Sequence, residues 1–267
     1  MKTSFQSRLP LALTSIALLL ALGSITFWSC SGDDGESVVP REIFADSVEA
    51  MQAEESFHFT YEVEKPSDAE APEGFDVVAL EGDVAVEGRM RASVDLLQNG
   101  VPIEIEFVAL EDTHYLRSPG ASSWQVVPAA FSPVGNLNLG EGMIGILQQI
   151  EEPEYLGREE VDGTEAYHFG GSTPAQEVEA IVQAVDRVEP FPTEVWIGVD
   201  DNLVRQIRLE GAATSGEAEE TVRHLVLSDF GEEVTIEAPD GEGDSGSDSG
   251  SGSGNSGSEA VSPETTG

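Results

Sequence analysis

The residue best placed for covalent chemistry is Cys30, the only cysteine in the 267-residue chain. An apolar run from Leu9 to Trp28 leads up to it, with Lys2 and Arg8 ahead of the run and the small Ser29 just before the Cys. A basic flank, an apolar stretch and a lone Cys at its end read as an export signal of the lipoprotein kind. Cleavage before Cys30 frees its thiol for a diacylglyceryl thioether and its amino group for a further acyl chain. Two or more chains hold a protein stably on a bilayer, where one does so only marginally. Phe27 and Trp28 depart from the usual pattern, which carries Leu or Val and then a small residue at those positions. Two alternatives remain open: an uncleaved anchor, since roughly 20 apolar residues span a bilayer, and a secreted chain with a free thiol. All three place the folded part outside the cytoplasm.

The other residues that could do chemistry are scattered. His58, His114, His168 and His224 lack the i, i+4 spacing and the Cys partners of a metal site. No Gly-x-Ser-x-Gly elbow frames a serine. Asp200-Asp201 and Glu159-Glu160 are adjacent acids in a chain with 51 of them, so they do not read as acid/base dyads. Gly241-x-Gly243-x-x-Gly246 matches a dinucleotide fingerprint only formally, because no strand precedes it and no helix follows. Asp240, Asp244 and Asp248 read as a solvated charge run rather than a Ca²⁺ site. We expect no catalytic residue, no metal and no cofactor. Trp124 and Trp196 read as strand aromatics, and either could line a ligand site.

Composition narrows the partners. A formal net charge of −39 repels phosphate backbones and anionic headgroups, so nucleic acid is excluded as an expected partner. A single cysteine forms no internal disulfide, and the exported domain must be held by its core.

The elements follow from periodicity. Arg41 to Ser56 reads as a helix with Ile43, Phe44, Val48 and Met51 on one side. Phe57, Phe59, Tyr61 and Val63 then alternate as a half-buried strand. Asn99-Gly100 predicts a type I′ hairpin that pairs Leu96 with Ile103, Val94 with Ile105, Ala92 with Phe107 and Met90 with Ala109. Arg91, Ser93 and Asp95 then meet Val108, Glu106 and Glu104 on a face turned to water. Further strands are expected at His114 to Arg117, Trp124 to Val127, Glu154 to Glu160, Thr164 to Gly170, Thr193 to Val199, Leu203 to Ala212, Glu220 to Ser228 and Val234 to Glu237. Helices are expected at Met143 to Ile150 and at Pro174 to Val188, the latter capped by Thr173. After Pro239 only Gly, Ser, Asp and Glu dominate, and such a segment cannot offset its ordering entropy. Many one-faced strands with a few helices make an α+β domain, an antiparallel sheet covered on one side.

The runs TEVWIGVDDNLVRQIRLEG (Thr193 to Gly211) and LSDFGEEVTIEAP (Leu227 to Pro239) resemble the closing segments of the LppX/LprA/LprF/LprG lipoproteins of mycobacteria and relatives. HYLRSPGASSWQVVP (His114 to Pro128) and EEVDGTEAYHFGG (Glu159 to Gly171) fit the same pattern. The resemblance implies an antiparallel half-barrel with helices packed on its concave face, similar in shape to the LolA/LolB carriers. It also implies that acyl chains of a lipid or glycolipid occupy the space between sheet and helices. The organisation expected is a signal peptide over 1–29, a lipidated Cys30 and tether over 30–40, a lipid-binding domain over 41–239 and an acidic tail over 240–267. The expected lining comes from the apolar strand faces: Phe57, Phe59, Tyr61, Met90, Val94, Leu96, Ile103, Ile105, Phe107 and Trp196. The expected partners are a lipid or glycolipid ligand, the bacterial cell membrane through the lipidated Cys30, and an envelope transporter or regulator protein. A regulatory lipoprotein that uses the same fold to bind another envelope protein is the second function kept open.

Overall fold

The computed structural model describes residues 38–66, 74–85, 88–134, 137–182 and 185–240, all within one compact unit. Eleven antiparallel strands form one sheet: β1 (Ser56–Glu64), β2 (Phe75–Ala85), β3 (Arg89–Gln98), β4 (Val101–Leu110), β5 (Thr113–Arg117), β6 (Gln125–Pro128), β7 (Glu151–Val161), β8 (Thr164–Thr173), β9 (Phe191–Gly198), β10 (Val204–Glu210) and β11 (Val222–Ser228). Their spatial order is β6-β5-β4-β3-β2-β1-β11-β10-β9-β8-β7, so β1 pairs with β11 and joins two meanders, while β6 and β7 are open edges. Helices α1 (Pro40–Ala53), α2 (Leu139–Gln149) and the short α3 (Ala175–Val178) pack on one another and on the concave face of this half-barrel.

Period-two alternation decides what faces the helices. Phe59 and Tyr61 of β1, Leu80 of β2, Val94 and Leu96 of β3, Ile105 and Phe107 of β4, Phe169 of β8, Val195 of β9, Ile207 of β10 and Leu225 of β11 belong to one buried cluster. Phe44 and Met51 of α1 and Met143 and Ile146 of α2 close it, with the Phe44 and Phe169 ring centroids 4.9 Å apart. Pro40 opens α1 where its missing N–H costs nothing, and the Asn138 side chain caps α2 by accepting the Glu141 N–H at 3.2 Å.

The Asn99-Gly100 hairpin has the register that its turn demands, Leu96↔Ile103 through Met90↔Ala109, with φ of 51° and 78° at the two turn residues. Three expectations change. Strand β2 fills the stretch between Val63 and Met90 that periodicity left unassigned; a bulge between Val77 and Ala79 shifts its alternation, so the apolar positions do not keep step. The helix expected from Pro174 to Val188 stops early: α3 ends at Val178, and the Asp186 and Arg187 N–H groups donate instead to the Ala213 carbonyl at 2.9 and 3.3 Å. Val234 to Glu237 is not a strand. It crosses the outer face, where Val234 and Ile236 pack with Val108, Tyr115 and Ala85, so Val108 is buried rather than turned to water.

Candidate functional site

The concave apolar face brings together nine of the ten expected lining residues. Phe57, Phe59, Tyr61, Met90, Val94, Leu96, Ile105 and Phe107 are buried in the main cluster, and Ile103 is half-buried against it. They sit on β1, β3 and β4, whose side chains of one parity all point toward α1 and α2. Trp196 does not join them. In β9 the buried neighbours Val195 and Ile197 face the helices, so the intervening Trp196 must face outward. There its indole stacks on the His168 imidazole at 4.2 Å and 11°, and its Nε1–H donates to Glu159 Oε2 at 2.9 Å. That bond, with His168 alongside, holds the Glu159 carboxyl below its ordinary range.

One polar side chain of the concave face was not singled out for it. His114 of β5 pairs with Ala109 and stands edge-on to Phe107, ring centroids 4.9 Å apart at 84°. It is buried, its Nδ1 has no hydrogen-bond partner, and desolvation alone pulls its pKa below the usual imidazole value. The neutral imidazole that results offers a donor or an acceptor to a ligand but no charge. A strand His at the concave parity beside Phe107 was legible from the β4–β5 turn; its lack of a partner was not.

A charged cluster closes one end of the same face. Arg223 lies on β11 opposite Val63 and donates to the Gly211 carbonyl at 2.9 Å and to Glu217 Oε2 at 2.5 Å. Glu217 also accepts the Ala213 N–H at 2.7 Å and faces Lys65 Nζ at 3.5 Å; Lys65 bonds Asp76 at 2.6 Å. Burial works against the Glu217 charge, but Arg223, the Ala213 N–H and Lys65 outweigh it and hold the carboxyl below its usual range. Tyr61, buried beside this pair, has its phenol pushed up to about 12, chiefly by desolvation and further by Glu217, against the pull of Arg223.

The remaining polar candidates are occupied structurally. His58 meets Asp83 at 2.9 Å on the outer face, and His224 lies 4.0 Å from Glu64. Asp201 pairs with Arg205 and accepts the Leu203 N–H, as a turn residue does. Among the described residues no three His, Cys, Asp or Glu side chains gather to hold a metal ion, and no helix is long and apolar enough to cross a membrane. Cys30, the residues before it, and Gly241, Gly243, Gly246, Asp244 and Asp248 of the tail lie outside the described residues.

Comparison with known proteins agrees with this architecture. The family model described as LppX_LprAFG lipoprotein matches residues 39–236. The lipoarabinomannan carrier protein LprG of Mycolicibacterium smegmatis is 27% identical over 248 residues, covering 88% of this chain and 99% of that protein. Among solved structures, LprF from Mycobacterium bovis aligns with a TM-score of 0.59 at 19% identity, over 75% of this chain and 96% of LprF. The Mycobacterium tuberculosis lipoprotein LppX aligns with a TM-score of 0.53 at 16% identity, over 74% of this chain and 98% of LppX.

Proposed function

This chain belongs to the LppX_LprAFG lipoprotein family, and from that membership we propose that it binds the acyl chains of a lipid or glycolipid between its sheet and helices, for transfer or presentation in the cell envelope. The observation that carries the reading is the single apolar face shared by both meanders, with Phe59, Val94, Leu96 and Phe107 beneath α1 and α2. LprG, similar along almost its whole length, is named for carrying a glycolipid, which supports the same ligand class here.

The energetics suit such a role. Each CH₂ moved from water into an apolar interior contributes about 0.8 kcal/mol, so one long chain offsets much of the cost of leaving a bilayer. Insertion would separate helices from sheet rather than strands from strands, since helix-to-sheet contacts are side-chain packing while the strands share backbone hydrogen bonds. Lipidation of Cys30 would hold the domain beside its donor membrane, outside the cytoplasm, and raise the local lipid concentration. We assign no catalytic residue.

Native mass spectrometry with lipid extraction, on the chain purified from its own host, tests the proposal. Acyl lipid in near-stoichiometric amount is the expected result and identifies the ligand class. A clean apo mass, with no uptake of added lipid, sinks it and favours a regulatory lipoprotein that binds another envelope protein. Val94→Trp places an indole in the middle of the face and should abolish uptake while the far-ultraviolet circular dichroism stays that of the native fold. Full uptake by that variant would rule out this face as the ligand site.

A further inference from the structure

At the β3–β4 turn the concave face ends in two exposed apolar side chains that flank Gln98. Phe75 of β2 pairs with Gln98 of β3, and Gln98 with Val101 of β4, which sets Phe75 and Val101 on either side of Gln98 with the parity of the interior. Phe75 is 44% exposed and Val101 61% exposed, two large apolar side chains in water on the same rim, with the exposed Pro102 next to them. Behind them exposure falls stepwise. On β4 the half-buried Ile103 leads to Ile105 at 6% and Phe107 at 0%; on β2, Val77 at 8% leads to Leu80 at 2%. The rim is held in place: the Asn99 N–H donates to the Gly74 carbonyl at 2.9 Å, and the Gly74 N–H to Asn99 Oδ1 at 3.1 Å.

We propose that this rim, the β3–β4 hairpin tip with Phe75 and Val101, is the surface by which the domain seats on the headgroup layer of a bilayer, so that a lipid chain passes from membrane to interior along an apolar track. The inference rests on the lipid-carrier reading and names the membrane contact of its site. Three observations select a bilayer as occupant. The track is continuous with the apolar interior, so whatever covers the rim also meets the residues proposed to hold acyl chains. Cys30 precedes Val38 by eight residues, which at full extension reach roughly 25–30 Å and keep an anchored domain next to its membrane. The charges beside the rim are acids or paired: Lys65 is bound to Asp76, and Asp95 and Glu104 face outward behind the turn. With a chain charge of −39, this favours neutral and zwitterionic lipid over anionic lipid, because like charges oppose contact. Apolar side chains that dip into the headgroup boundary supply the attraction.

The test uses the full-length chain reconstituted through its own anchor into phosphatidylcholine vesicles. An environment-sensitive dye on Val101→Cys is compared with the same dye on Ser93→Cys, which faces outward behind the hairpin; the unsubstituted chain gives any background from Cys30. Bromine on the acyl chains is expected to quench the dye at 101 and not at 93, and anionic lipid mixed into the vesicles is expected to reduce the quenching. The double variant Phe75→Ser, Val101→Ser should slow lipid pick-up from vesicles on the order of tenfold, while binding of lipid offered in detergent is unchanged. Equal quenching at 101 and 93, or unaltered pick-up by the double variant, overturns the inference, as does a dye at 101 that is already shielded without vesicles by a second copy or a partner protein. Quenching at 101 without any lipid pick-up by the wild-type chain would instead remove the carrier reading and leave the membrane contact standing.

Discussion

His114 is the residue where burial and chemistry conflict most directly. Its Nδ1 is enclosed without a partner beside Phe107, and burial keeps the ring neutral in the folded chain. The unfolded chain protonates near the ordinary value of about 6.5, whereas the folded chain waits for a lower pH. The unfolded state therefore binds more protons in that window, and stability must fall as pH drops below about 6.5. Glu217 adds a further loss only at lower pH, below the ordinary glutamate range of about 4.3, where the unfolded carboxyl protonates before the depressed folded one. Urea midpoints measured from pH 7.5 to 5 should fall for the wild-type chain and fall less for His114→Phe, which keeps a ring against Phe107. Parallel slopes in the two proteins would show that His114 is not a buried, neutral imidazole in the folded chain.

Among the elements, α2 is packed closely enough that one hydrogen atom matters. A Cβ on Gly142 would lie 2.5 Å from Ile181 Cγ1 and 3.2 Å from Ala180 Cβ, so Gly142 lets α2 approach the segment after α3. A Cβ on Gly140, two residues earlier in the same helix, would meet only Asn138 Oδ1, at 3.9 Å. Replacing glycine by alanine inside a helix gains up to about 1 kcal/mol in the absence of a clash, while overpacking costs about 1–3 kcal/mol. Gly140→Ala should thus raise the denaturation midpoint and Gly142→Ala should lower it. The same sign for both would mean that α2 does not sit against Ile181 as described. The elements also show where the sequence was readable. The Asn99-Gly100 turn adopts positive φ at both residues, so its turn chemistry placed β3 and β4 in register. Strand β2 escaped because its bulge at Val77/Ala79 breaks the alternation, and the helix after Pro174 was overextended because the Ala213 carbonyl, distant in sequence, captures the N–H groups of Asp186 and Arg187.

At the scale of the whole molecule, the chain carries 51 acidic against 12 basic residues, and the described domain places many like charges close together on its surface. Several of the few cations, Lys65, Arg187 and Arg223, are engaged with carboxylates at one end of the concave face, so most of the surface repulsion is uncompensated. The screening length falls from about 30 Å at 0.01 M salt to about 10 Å at 0.1 M. The melting temperature should therefore rise by a few degrees between 10 and 500 mM NaCl (on the order of the repulsion removed). A fall with salt would mean that the paired cations outweigh the repulsion, and that the ion cluster at Glu217 dominates the electrostatics of the fold.

Local rules in the sequence determined ten of the eleven strands, β2 excepted, and the β3–β4 register, because turn chemistry and period-two alternation act over a few residues and a slip of one would have buried Asp95 and Glu104. The same alternation marked Phe59, Val94, Leu96 and Phe107 as one face, and the order of the segments pointed to the family. Tertiary structure alone decided that β1 pairs with β11 to join the two meanders, that the segment through Val234 and Ile236 crosses the outer face instead of extending the sheet, and that Trp196 turns outward onto His168. Those outcomes depend on partners far apart along the chain, Phe59 with Leu227 or Ser56 with Glu232, and periodicity carries no information about which distant surfaces meet.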